Sequence, residues 1–208
     1  MNQDTLHNNT VFTIGHSTHP IDKFLQLLSQ HRIQAIADAR SVPYSKYQPQ
    51  FGKEVLAKAL KTRGIDYVFL GKELGARSDD PSCYVEGRVQ YRKLAETSSF
   101  RSGLDRVIRG SRNQRIAIMC TEGEPLECHR TLLVSRELTP LGVTIVHIHS
   151  DGHLESHHDI LERLLSELKM QDDFFCTHDE LIERAYAKQE SAIAYVPENI
   201  GQPDAMNA

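Results

Sequence analysis

The first ten residues, Met1 to Thr10, lack the charged, then apolar, then small-residue order of a secretory signal. No apolar run approaches the ~20 residues that a membrane-spanning helix needs. Cysteine is scarce. Cys83, Cys120, Cys128 and Cys176 are too few and too scattered to staple a chain of 208 residues, which argues against a secreted disulfide scaffold and for a reducing, cytoplasmic setting. Neither sign of charge dominates: 24 basic against 28 acidic residues give a net charge of −4, so no overall basic field calls for nucleic acid or an anionic membrane. Internal repeats and low-complexity tracts are also missing. What remains is an ordinary globular composition, 39% apolar and 25% charged, enough to bury a core. The expectation is one domain over residues 11–190, with a flexible stretch at 1–10 and a loosely ordered tail at 191–208.

Within that span apolar runs alternate with amphipathic stretches, the pattern of a mainly parallel sheet covered by helices. Strands are expected at Val11 to Gly15, Ile33 to Ala39, Asp66 to Leu70, Ile116 to Met119 and Val143 to Ile148, about five in all. Between them, Pro20 suits a first helical position, and Phe24, Leu25, Leu27 and Leu28 recur at helical spacing. Val55, Leu56, Ala59 and Leu60 do the same ahead of Gly64. Arg88 to Arg109 reads as mostly helical with a break near Thr97 to Ser99 or Gly103. Further helices are expected around Leu132 to Leu138, over Glu155 to Met170, and after Thr177, where Thr177-His178-Asp179-Glu180 has capping-box spacing. Gly71 to Gly87 is polar and irregular, long enough for a binding loop or lid.

Open α/β sheets bind ligands beyond the carboxyl ends of their strands. Here those ends carry His16-Ser17, Asp38-Ala39-Arg40-Ser41, Gly71 to Glu73, Cys120-Thr121-Glu122 and His147 to His149, so polar chemistry converges on one rim. Thr13-Ile14-Gly15-His16-Ser17, Asp38 to Pro43, Gly64 to Tyr67, Leu70 to Gly75, Met119 to Glu122 and Cys128-His129-Arg130 together resemble the family called domain of unknown function 488, uncharacterised bacterial and archaeal proteins. The resemblance spans roughly Val11 to Gly152. It implies a compact α/β fold and a shared site, and it implies no particular reaction.

The densest signal is the run from Cys120 to Arg130, a strand entering a short loop and then a helix. Backbone N–H groups at that helix start, with Arg130, would suit an anion. A cysteine-phosphatase loop does not fit, because nine residues separate Cys120 from Arg130 where that chemistry needs five, and Glu122, Glu124 and Glu127 would repel a phosphate. Cys120, Cys128 and His129 have the softness for zinc or iron. Yet seven residues part the cysteines and no fourth ligand is evident, so no stoichiometric metal or other cofactor is expected, and Cys120 reads first as a small buried side chain. Glu122, just past a buried strand, is the candidate nucleophile or general base, with His129 as its proton partner. Asp38 and Arg40 share a strand face, either as an internal pair or as substrate ligands. His147, His149, His153, His157 and His158 read as rim or surface histidines. Arg101, Arg106, Arg109, Arg112 and Arg115 read as a solvated face, with nucleic-acid contact as the less favoured alternative.

The expected function is therefore an enzyme that hydrolyses or transfers a group on a small anionic, nucleotide-like substrate. Glu122 and His129 would be catalytic, while His16, Ser17, Asp38, Arg40, Ser41 and Arg130 would bind substrate. The alternatives are a metal or redox protein using Cys120, Cys128 and His129, and a non-catalytic ligand- or nucleic-acid-binding domain.

Overall fold

In the computed structural model, residues 9–44, 46–171 and 176–197 are described. Strand β1, Thr10–Gly15, carries Val11, Phe12, Thr13 and Ile14, all buried, as expected of a strand covered on both faces. It is flanked in parallel by β6, Ile116–Cys120, on one side and β7, Thr144–Ile148, on the other. Beyond β6 lie β2, Ala35–Asp38, and β3, Asp66–Phe69, also parallel, giving the order β3-β2-β6-β1-β7-β8. The last member, β8, Leu154–Ser156, is antiparallel to β7 and was not anticipated from the sequence. It forms because the chain reverses at Gly152, whose φ of +93° a side chain would strain, and His149 N–H closes the turn on the His153 carbonyl. A separate two-stranded hairpin pairs β4, Tyr84–Val85, in the polar segment expected to be a loop, with β5, Arg88–Val89, at the start of the stretch expected to be helical.

Alternation along each strand sorts the core into two layers. Phe12, Ile14, Ile36, Ala117 and Met119 meet α1, Ile21–Gln30, and α2, Lys53–Lys61, through Phe24, Leu28, Leu56 and Leu60. Val11, Ala37, Ile118 and Cys120 meet the opposite layer, built from α5, Ser98–Ser111, and a π-helical turn at Arg130–Ser135 that continues into α6, Arg136–Leu138. The helical stretch expected over Arg88 to Arg109 forms α4, Tyr91–Glu96, and α5, with the expected break at Thr97, whose hydroxyl accepts the Phe100 N–H and so caps α5. A third apolar cluster joins α7, His157–Glu167, to α8, His178–Ile193. The capping box at Thr177 and Glu180 is formed. A short helix, α3, covers Gly71–Leu74. Among the described residues no helix is long and apolar enough to cross a membrane.

β6 sits between β1 and β2, and the connections of those two strands leave toward the face opposite its own. Such a reversal opens a crevice past the strand ends. Gly15 shows how tightly it is packed: a Cβ added there would stand 1.7 Å from the Glu122 carbonyl oxygen.

Candidate functional site

At the tips of β1, β2 and β3 a polar quartet forms on the α1/α2 face. Asp38, fully buried, accepts from Arg40 Nε at 2.8 Å and Arg40 Nη2 at 2.6 Å, and also from the Tyr67 hydroxyl at 2.7 Å. His16 stacks on Phe51 with ring centroids 4.2 Å apart. Its Nδ1 lies 2.9 Å from the Ser17 carbonyl and must donate there, which leaves Nε2 as acceptor toward Arg40 Nη1 at 3.3 Å. Burial, with the Arg40 charge alongside, lowers the His16 pKa to about 4, so the ring is neutral. Arg40 is therefore gripped from two sides by side chains of its own sheet. Asp38 and Arg40 form the internal pair, and the pair still contributes Arg40 to the rim.

The opposite face of β6 carries a second cluster. Cys120 ends the strand, and the loop after it returns Cys128 and His129 to the same point. Cys128 Sγ and Glu122 Oε2 share a hydrogen bond 3.0 Å long. His129 Nε2 lies 3.2 Å from the Ala39 carbonyl, and its Nδ1 is 3.8 Å from Cys120 Sγ and 3.9 Å from Cys128 Sγ. Both thiols are buried, whereas Glu122 is exposed as a residue and only its carboxyl turns inward. Loss of water around that carboxyl, then the adjoining Cys128 sulfur, raises the Glu122 pKa to about 7. Burial also pushes the Cys120 thiol up. For Cys128 the same burial is outweighed by Cys120, the Arg130 guanidinium and His129, which hold its thiol well below the usual range.

Arg130 lies fully buried behind the loop. One terminal nitrogen, Nη1, donates to the Glu122 carbonyl and the other, Nη2, to the Gly123 carbonyl at 2.9 Å, while Nε has no partner. Ser17 also belongs to the frame of this loop: its N–H donates to the Thr121 carbonyl at 2.8 Å.

In front of both clusters is an open cavity of about 190 Å³ lined by Arg40, Ser41, Val42, Ala76, Arg77, Tyr91, Thr121, Glu122, Glu127, His129, Ile193 and Tyr195. Of the residues singled out in the sequence, Arg40, Ser41, Glu122 and His129 line it; His16, Ser17, Asp38 and Arg130 stand behind or beside it. Arg77 and Tyr195 were missed. Arg77 lies in the polar segment Gly71 to Gly87, and that segment was the signal. Tyr195 gave none, since it falls in the stretch expected to be a loose tail, whose residues 198–208 are outside the described ones. The Arg77 guanidinium lies 4.3 Å over the Tyr195 ring, and the Tyr195 carbonyl accepts from Val89 N–H at 3.0 Å.

The histidine-rich stretch divides. His147 is buried in a chain of hydrogen bonds from Thr13 Oγ1, at 2.8 Å, through His157 Nδ1, at 3.1 Å, to Tyr186 Oη, which lies 2.9 Å from His157 Nε2. His149 instead pairs with Glu155 at 2.7 Å and stacks on His153. The arginines also scatter: Arg106 pairs with Glu73, whereas Arg115 lies over Phe12 and donates to the His31 carbonyl at 2.7 Å.

The model of a family described as Domain of unknown function DUF488 matches residues 20–136, more than half of the chain. The chain belongs to that family. No curated protein and no solved structure matches it. The DUF488 match takes in Asp38, Arg40, Arg77, Cys120, Glu122 and the Cys128-His129-Arg130 run, and it excludes His16, Ser17 and the two C-terminal cavity residues, Ile193 and Tyr195.

Proposed function

We propose that this DUF488 protein is an enzyme that hydrolyses or transfers a group on a small anionic substrate held in the cavity before β6. The observation that carries the reading is the joint lining of one cavity by two arginines, Arg40 and Arg77, and by Glu122 and His129. Cations at one wall attract and orient an anion, and a carboxylate at the other is available to the atom under attack. Glu122 acts as base or nucleophile. Ser41, Thr121 and Tyr91 offer hydroxyls for orienting the substrate. Both His129 nitrogens face the thiols and the Ala39 carbonyl, so in this reading His129 serves the Cys120/Cys128 cluster rather than acting as a free proton carrier. Arg130, engaged with two carbonyl oxygens, holds the catalytic loop in place.

The test is a thermal-shift screen of phosphate esters, nucleotides and nucleosides, with and without a divalent transition metal, followed by product analysis on each binder. The expected result is a binder that is an anion and is turned over. A binder that yields no product would replace the enzyme with a ligand-binding module, and preference for cationic ligands would remove the anion reading altogether.

A further inference from the structure

We propose that Cys120, Cys128 and His129 Nδ1, with the Glu122 carboxylate as fourth donor, form a binding site for one divalent transition-metal ion of the zinc class. The donor atoms of these four side chains all lie within 4.8 Å of one another. A tetrahedral zinc site, with Zn–S about 2.3 Å and Zn–N or Zn–O about 2.0–2.2 Å, sets its donors roughly 3.3–3.8 Å apart. Here His129 Nδ1 is 3.8 Å from Cys120 Sγ and 3.9 Å from Cys128 Sγ, and Glu122 Oε2 is 3.0 Å from Cys128 Sγ. Shifts of about half an ångström or less would bring these three pairs to those separations, and the other pairs, all within 4.8 Å, would need to close by about 1.5 Å at most.

The surroundings suit a metal ligand set as well. A histidine ligand is normally fixed by a hydrogen bond from its other ring nitrogen. The Ala39 carbonyl, 3.2 Å from His129 Nε2, takes the proton there, with Cys120 Sγ also 3.5 Å from Nε2, and leaves Nδ1 as the unprotonated nitrogen, 3.8 Å from Cys120 Sγ and 3.9 Å from Cys128 Sγ. Arg130 N–H donates to Cys128 Sγ at 3.5 Å, and the Arg130 side chain pins the carbonyls of the Glu122 loop. Charge points the same way. Arg130 is fully buried, and among the described residues no carboxylate lies within ion-pair distance of it. A divalent ion and this guanidinium together balance two thiolates and one carboxylate. Two sulfurs and an imidazole favour zinc-like ions over magnesium or calcium, which want oxygen.

A second convergence, His149, His153 and Glu155, is at the surface, and Arg163 already occupies both oxygens of Glu155. It serves as a control. The inference does not require the anionic-substrate reading: in the metal-free protein the Glu122 carboxylate is free to act as base or nucleophile, whereas a bound ion takes it as a ligand, so an ion bound without any turnover would uphold the one and leave the other to fail.

The test uses full-length protein purified without an affinity histidine tag, reduced, stripped with a chelator and titrated with cobalt(II). Binding should saturate at one equivalent, with thiolate-to-cobalt charge-transfer absorption and the red d–d bands of a tetrahedral site, and zinc should displace it. Cys120→Ser and Cys128→Ser should each weaken binding at least about 100-fold, beyond the 10–100-fold typical of outer-shell changes. Cys176→Ser and His153→Ala should leave it unchanged. If the Cys120 or Cys128 variants fail to fold, the native spectrum decides, supported by His129→Gln, which should keep the sulfur band and bind more weakly. No saturable binding, an octahedral spectrum without the thiolate band, or loss of the signal in His153→Ala would overturn the site.

Discussion

Arg130 reaches back over the loop that precedes it and donates Nη1 to the carbonyl oxygen of Glu122. The guanidinium thereby ties the first turn of a helix to the main chain at the end of β6, with no solvent between them. Removing it leaves two carbonyls short of a donor and opens a cavity. Arg130→Ala should destabilise the protein by about 2–4 kcal/mol, well beyond its effect on an anion in the cavity. Arg130→Lys should recover little of this, because an ammonium cannot span two carbonyls as a planar fork does. Urea unfolding of the three proteins measures it. A stable Arg130→Ala protein that has lost only anion affinity would return Arg130 to the substrate.

The close approach of Gly15 to the same loop gives a second expectation. With a Cβ only 1.7 Å from the Glu122 carbonyl, Gly15→Ala must push the loop off the β1 tip. A loss of about 1–3 kcal/mol is expected from the overpacking. Displacement of the Glu122 loop should appear as amide shifts confined to residues near 15–17 and 121–123 in nuclear magnetic resonance spectra. Unchanged spectra and stability would contradict the packing.

Protonation of the buried histidines sets a pH dependence. Burial lowers His157 to about 4, below the 6.5 of an exposed ring. Between those values the unfolded chain binds more protons, so this group's contribution to stability is present above pH 6.5 and is lost as pH falls toward 4. The limiting slope is about 1.4 kcal/mol per pH unit for one histidine. His16, also near 4, acts in the same direction; Glu122, held near 7, acts in the opposite one. Native protein should therefore lose stability more steeply between pH 6.5 and 4.5 than His157→Gln does. Parallel curves from urea unfolding at several pH values would refute it.

Two variants separate binding from chemistry once a substrate is found. Glu122→Gln keeps the shape but removes the negative charge, so turnover should fall by roughly 10²-fold while the anion binds as well or better. Tyr195→Ala removes a cavity wall and the ring under Arg77, so it should raise KM several-fold and leave kcat nearly unchanged. The reverse pattern would exchange the two roles.

How much of this was readable beforehand follows from the range of the interactions. Strands β1, β2 and β6 were legible because buried parallel strands are short apolar runs, β3 and β7 because short runs of β-branched and aromatic residues also mark partly exposed strands, and the polar residues ending them marked the rim. The capping box at Thr177 was legible because it is a contact between near neighbours in the chain. β8 was not, since Leu154–Ser156 pairs only because Gly152 turns the chain back against β7.

The sequence by itself determined the α/β architecture, the Cys120-to-Arg130 run and the identities of Arg40, Glu122 and His129, through local pattern and strand-end position. It argued against a metal because Cys120 and Cys128 are far apart along the chain and no fourth ligand was in view. Only the tertiary structure decided their distance in space, because the loop between them closes on itself under the Arg130 clamp and carries Glu122 into the gap. It likewise decided that Arg77 and Tyr195, remote in sequence from one another, share a cavity wall. Side-chain convergence is set by how a sheet brings its strand ends together, and no linear spacing reports that.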